Sequence, residues 1–213
     1  MVDNPFSIAK IRSDKAGQVL ADALINKVQG ERPVTIIAYS LGARVIYSCL
    51  NTLAERKAFG LVENVVLLGS PTPSDSIAWR RMRSVCAGRV VNVYSSKDYL
   101  LAFLYRSASL QLGVSGLQPV DDVMGVENVD VSELVDGHTK YRYLTGTILK
   151  KIGFEDLDLE EVEKQEHVLR IEEKKEEEER KKQEGMMGWV NSGLGAIGLG
   201  GGAASGQQKV HEA

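Results

Sequence analysis

Cysteine is scarce in this 213-residue chain: Cys49 and Cys86 are the whole complement. Two thiols with no short metal-type spacing exclude a zinc framework, and they are too few to staple a chain of this length, so a reducing compartment is expected. Excess charge is missing as well. A net charge of -3 and a pI near 5.7 leave no whole-chain basic field, and nucleic acid is not an expected partner. The opening Met-Val-Asp-Asn-Pro-Phe lacks the basic run and apolar stretch of a secretory leader. An intracellular protein, cytoplasmic or membrane-associated, is the expectation. No cofactor or metal is called for.

What is present divides by composition. Residues 1–153 mix apolar runs with Gly and Pro, residues 154–184 are dominated by Glu, Lys and Arg, and residues 185–213 are rich in Gly. In the first segment, β-branched runs alternate with helical periods, the pattern of a parallel sheet covered by helices on both faces. Asn4 and Pro5 give a helix start, and Val19, Leu20, Ala23, Leu24 and Val28 form its apolar stripe, closed by Gly30. Strands are expected at Val34 to Tyr39, Val65 to Leu68, Val90 to Tyr94 and Val126 to Asp130, each continuous enough to be buried on both faces. Helices are expected at Ala43 to Glu55, Trp79 to Val85, Tyr99 to Arg106 and Thr139 to Ile152.

In the charged segment, Leu159, Val162, Leu169 and Ile171 are too irregularly spaced for a heptad seam. A solvated helix with few core contacts is expected, so that removal of everything after Gly153 leaves the core nearly as stable. The Gly-rich end holds seven glycines among residues 186–204, which disfavours a spanning helix and favours a flexible tail. Residues 154–213 could still meet a membrane surface or a protein partner.

The run Val34-Thr-Ile-Ile-Ala-Tyr-Ser-Leu-Gly-Ala-Arg places Ser40 between a buried strand and an apolar-faced helix. So sharp a strand-to-helix turn needs small residues two positions either side, and Ala38 and Gly42 meet that need. The commoner pattern has Gly at both sites. A serine nucleophile needs a base, and this fold orders its groups serine, acid, histidine. Of three histidines, His167 lies in the charged segment and His211 at the end, leaving His138 as the one that follows a strand. Asp98 follows the third strand through Ser95-Ser96-Lys97, where a carboxylate would orient the imidazole. Asp130 and Asp136 are the competing acids, and Asp98 could also cap the helix after it.

Beyond these residues, Gln29-Gly-Glu-Arg-Pro-Val, Tyr39-Ser-Leu-Gly-Ala-Arg, Gly60-Leu-Val-Glu-Asn-Val, Gly88-Arg-Val-Val-Asn-Val-Tyr, Phe103-Leu-Tyr-Arg and Gly116-Leu-Gln-Pro-Val resemble the transmembrane and coiled-coil domain-containing protein four family of fungi and animals. The resemblance covers roughly residues 3–160. It implies an α/β-hydrolase core and a serine hydrolase acting on an acyl ester or lipid-like substrate, with catalytic Ser40, Asp98 and His138. Family members look longer, with membrane-spanning helices and earlier strands placed before the point that Met1 occupies here. An N-terminally truncated hydrolase fold is therefore expected, whose remaining oxyanion donor is the N–H of Leu41. Losing one such donor typically costs about 10²–10³ in turnover. The alternative is a non-catalytic interaction module built on the same core.

Overall fold

The computed structural model describes residues 4–108 and 113–197, the side chains of 108 and 185–197 excepted. Its elements follow the order α1 (Pro5–Ile25), β1 (Val34–Tyr39), α2 (Leu41–Glu55), β2 (Val62–Leu68), α3 (Ser76–Ser84), β3 (Val90–Tyr94), α4 (Tyr99–Ala108), β4 (Val126–Asp130), a 3₁₀ turn (His138–Lys140), α5 (Tyr141–Lys151) and α6 (Leu159–Ile197). The four strands form one parallel sheet in the order β1-β2-β3-β4. The protein is thus an α/β fold, and its parallel strands bring all their carboxyl ends to one edge.

One face of the sheet, through Val65, Leu67 and Val90, packs into a core with Ala21 and Leu24 of α1, Ile46, Leu50 and Leu53 of α2, and Trp79 and Met82 of α3. Residues one step along the strands, Val66, Leu68, Val91 and Val93, point to the other face and are also dry. Tyr39 of that face shares a cavity of about 400 Å³ with Gly146 and Leu149 of α5 and with Val162, which places α5 on this second side. Burial on both faces holds for β2 and β3 only. In β1 and β4 every residue is partly or fully exposed, because among the described residues these strands have a neighbour on one side alone.

Helix α1 begins where Asn4 and Pro5 mark it, the Asn4 side chain accepting from the Phe6 N–H. Its buried face matches the expected apolar stripe only in part, at Leu24 and at the half-buried Leu20. Val19 is 67% exposed, and Val28, beyond the end of the helix, 77%, whereas Ser13, Gly17 and Ala21 are buried beside Leu24. Small residues win because α1 lies hard against α2: a Cβ on Gly17 would stand 2.4 Å from the Val45 carbonyl oxygen and 2.6 Å from the Ser48 Cβ. The Ser48 hydroxyl also donates to the Asp14 carbonyl at 2.8 Å. The two cysteines are free and buried, and burial pushes their thiols up to about 12 (Cys49) and about 11 (Cys86). Neither is poised as a thiolate.

By contact the chain divides into two compact units, Met1–Glu166 and His167–Ala213. The charged segment's first two turns belong with the core, contrary to the expectation of few contacts. Val162 presses on Gly146, where a Cβ would meet the Val162 Cγ2 at 2.4 Å, and the Thr147 hydroxyl donates to Glu166 at 2.7 Å. One well-placed valine suffices where a stripe is absent. In the second unit α6 continues to Ile197, beyond the composition change at 184, since adding turns to an existing helix costs far less than starting one. Residues 198–213, the rest of the expected flexible tail and His211, lie outside the described residues. No helix among the described residues is long and apolar enough to cross a membrane.

Two stability measurements check this packing. Gly17→Ala, though it raises helix propensity, should destabilise by about 1–3 kcal/mol through overpacking, read by chemical denaturation; a gain would show that α1 can back away from α2. Truncation after Gly153 should lower the thermal midpoint by several degrees relative to truncation after Glu166, and equal midpoints would deny α6 any part in the core.

Candidate functional site

Ser40 sits between the last residue of β1 and the first of α2 with φ 54° and ψ -131°, a conformation sparsely populated by residues with a side chain. The chain is held in it from both sides: the Ser40 N–H donates to the Leu68 carbonyl at 3.0 Å, and its carbonyl accepts from the Arg44 N–H at 3.2 Å. Ala38 and Gly42 lie across this turn from each other. A Cβ on Gly42 would stand 3.8 Å from the Ala38 Cβ, an ordinary contact, so the turn has room for two methyl groups. Leu41 opens α2, and its N–H is among the first-turn amides for which a helix supplies no acceptor.

The Ser40 hydroxyl lies 2.6 Å from Nε2 of His138, and Nδ1 of the same ring lies 2.6 Å from Oδ2 of Asp98. A carboxylate only accepts, so it fixes the ring hydrogen on Nδ1 and leaves Nε2 to accept from the serine. Asp98 is wholly buried. Its other oxygen, Oδ1, accepts from the Leu101 N–H at 2.9 Å, so one residue caps α4 and holds the imidazole. The competing acids are engaged elsewhere. Asp130 accepts from the backbone and hydroxyl of Ser132, whose hydrogen bonds hold its carboxyl below the usual range. Asp136 pairs with Lys140 at 2.7 Å, and that hydrogen bond lowers its carboxyl likewise.

Two loops must stay in register for this line of groups to persist, and serines lash them together. Ser95 donates to the Val135 carbonyl at 2.5 Å, and the Ser96 N–H donates to the Ser132 hydroxyl at 2.9 Å. Nearby, Ser70, Thr72 and Ser115 form a buried chain of hydroxyls at 2.9 and 2.8 Å, joining the loop after β2 to the segment after α4. Two aromatic rings flank His138: Tyr39 at 6.4 Å between centroids and Tyr141 edge-on at 6.2 Å. Sequence reasoning missed both, although Tyr39 adjoins Ser40 and Tyr141 follows His138 by three residues. Arg44 was missed too. Its guanidinium reaches the Pro71 carbonyl at 2.9 Å and Asp14 at 2.7 Å, tying the start of α2 to α1 and to the loop after β2. Among the described residues no cluster of three or more His, Cys, Asp or Glu could hold a metal ion.

With this geometry in view, residues 1–155 match the model of a family described as "Protein of unknown function (DUF726)". The chain belongs to that family. It is 48% identical over 165 residues to "Uncharacterized membrane protein C6F6.13c" of Schizosaccharomyces pombe, covering 76% of this chain and 28% of that one. It is 49% identical over 152 residues to "Transmembrane and coiled-coil domain-containing protein STS1" of Oryza sativa, covering 71% and 23%. A third relative, "Probable lipase MIL1" of Saccharomyces cerevisiae, is 44% identical over 167 residues, covering 78% and 16%. The resemblance noted from the sequence motifs thus holds. The chain spans between 16% and 28% of the length of these three relatives. No solved structure matches.

Tyr141 offers a test of how the pocket around His138 is built. Its hydroxyl is buried without a partner among the described residues, and burial, followed by the charge of Asp98, pushes its ionisation well above the usual phenol value. Because a buried hydroxyl with no hydrogen bond contributes no stability, Tyr141→Phe should leave stability unchanged or raise it by up to about 1 kcal/mol. A clear loss in a denaturation curve would mean that the hydroxyl has a partner.

Proposed function

We propose that this core is the catalytic part of a serine ester hydrolase with an α/β-hydrolase fold, acting on acyl esters of a lipid-like kind. The observation that carries the reading is the continuous line of hydrogen bonds from Ser40 through His138 to Asp98. Ser40 Oγ attacks the acyl carbonyl as its proton passes to His138 Nε2, and the carboxylate of Asp98 stabilises the imidazolium. The negative oxygen of the tetrahedral intermediate is met by the Leu41 N–H at the start of α2. Collapse expels the alcohol, which takes the proton from His138, and the acyl-serine that remains is hydrolysed by water through the same proton path in reverse.

The strained conformation of Ser40 and the order serine, acid, histidine along the chain support the fold assignment, since the first belongs to the nucleophile turn of that fold and the second to the order of its catalytic groups. The lipid-like substrate rests on the name of the yeast relative and on the motif resemblance.

A fluorophosphonate probe tests the chemistry. The folded chain should label at Ser40, slowly if Leu41 is the lone oxyanion donor in place, and Ser40→Ala should abolish labelling. His138→Ala should slow it by up to about 10⁶-fold and Asp98→Asn by about 10⁴-fold. Labelling that survives Ser40→Ala would show that the turn carries no nucleophile.

A further inference from the structure

Helix α4 buries its smaller face and exposes its larger one. Leu101 and Tyr105 are covered, packed with Val114 and Leu117, while Tyr99 is 74%, Phe103 70% and Leu100 46% exposed. Residues 99, 100 and 103 share one side of a helix, so these three side chains form a patch rather than scattered exposures. Its position matters. The helix starts at the residue after Asp98 and packs against the 3₁₀ turn that carries His138.

On its other flank α4 meets the first turns of α1, where the Asn4 side chain donates to Ser107 at 3.3 Å and the Lys10 ammonium stands 4.7 Å over the Tyr105 ring. Elsewhere along its length α1 also exposes Ile8 and Ile11. The exposed charges next to the patch on its own helix and just before it are basic. Lys97 precedes the helix, Arg106 lies on it, and Lys10 and Arg12 lie on α1, whereas α4 itself carries no carboxylate. Asp98 is paired with His138 and Asp14 with Arg44, while Asp136, paired with Lys140, and Asp130, bonded to Ser132, also lie within electrostatic reach of Lys97.

Aromatic and apolar side chains ringed by lysine and arginine suit one kind of surface: a bilayer with anionic headgroups, where the rings enter the interface and the cations stay among the phosphates. We propose that the outer face of α4, Tyr99, Leu100 and Phe103 with Lys97, Arg106 and Lys10 around them, docks onto an anionic lipid surface and sets the Ser40–His138 pair beside it. The proposal rests on the hydrolase reading for its purpose, which is to present lipid esters to Ser40, while the docking itself is a separate property. Each basic side chain near such a surface adds about fivefold to binding, an attraction that salt screens.

The test is co-sedimentation of the full chain with phosphatidylcholine vesicles with and without phosphatidylserine. Wild type should bind the anionic vesicles, bind neutral ones far less, and lose affinity as salt rises. Replacing all three of Tyr99, Leu100 and Phe103 by Ser should cut binding at least about tenfold with the thermal midpoint unchanged, since these side chains lie outside the core. The pair Lys97→Glu and Arg106→Glu should remove the preference for anionic lipid, and Ser40→Ala should bind as wild type does. Binding that survives the triple substitution, or no wild-type binding at all, overturns the docking. So does a wild-type dimer in light scattering that the triple substitution converts to monomer without any vesicle binding, because α4 would then be a contact between copies. Vesicle binding without labelling at Ser40 would overturn hydrolysis alone, and labelling without vesicle binding would overturn docking alone.

Discussion

The backbone of Ser40 is the constraint on which the rest of the structure leans. A residue with a side chain held at φ 54° and ψ -131° costs on the order of 1–3 kcal/mol, and such a conformation lasts only where its surroundings over-determine it. Here they do so in layers. The turn is pinned to the end of β2 through Leu68, the first turn of α2 is tied by Arg44 to Asp14 and Pro71, and α1 closes on α2 at Gly17 with no space left for a methyl group. Remove any layer and the strain can relax by unwinding the first turn of α2, which would swing the Ser40 hydroxyl away from the imidazole.

Because the sheet is parallel, residues far apart in sequence reach one edge without any long-range contrivance. Ser40 follows β1, Asp98 follows β3 and His138 follows β4, and the parallel strands all rise to the same side. Fine alignment comes from side chains outside the line of Ser40, His138 and Asp98. Asp98 is fixed by its cap on Leu101, and the loops bearing Asp98 and His138 are joined through Ser95 to Val135 and Ser96 to Ser132. A buried carboxylate with both oxygens engaged has little freedom to choose another partner, and the ring it holds inherits that rigidity.

Much of this was legible in the sequence for reasons that are local. β-branched runs mark buried strands, Asn4 with Pro5 marks a helix start, and a serine wedged between a strand and an apolar-faced helix marks a strained turn. What was hidden depended on distance between elements. The buried face of α1 is written in Ser13, Gly17 and Ala21, whose burial follows from how close α2 comes and not from hydrophobicity, so the larger Val19 and Val28 drew the eye wrongly. Val162 docks on Gly146 without belonging to any stripe, and Tyr99 and Phe103 face outward from a helix whose Leu101 and Tyr105 are buried. Periodicity tells which residues share a face. It does not tell which face finds a neighbour.

The central claim is that Ser40, His138 and Asp98 act as one unit and not as three separate contributors. Comparing the rate of fluorophosphonate labelling of His138→Ala, Asp98→Asn and the double variant tests it most directly. Groups that work through one another are strongly non-additive, so the double variant should label no more slowly than His138→Ala alone. Rate losses that multiply in the double variant would contradict the account, because Asp98 would then be acting somewhere other than through the imidazole.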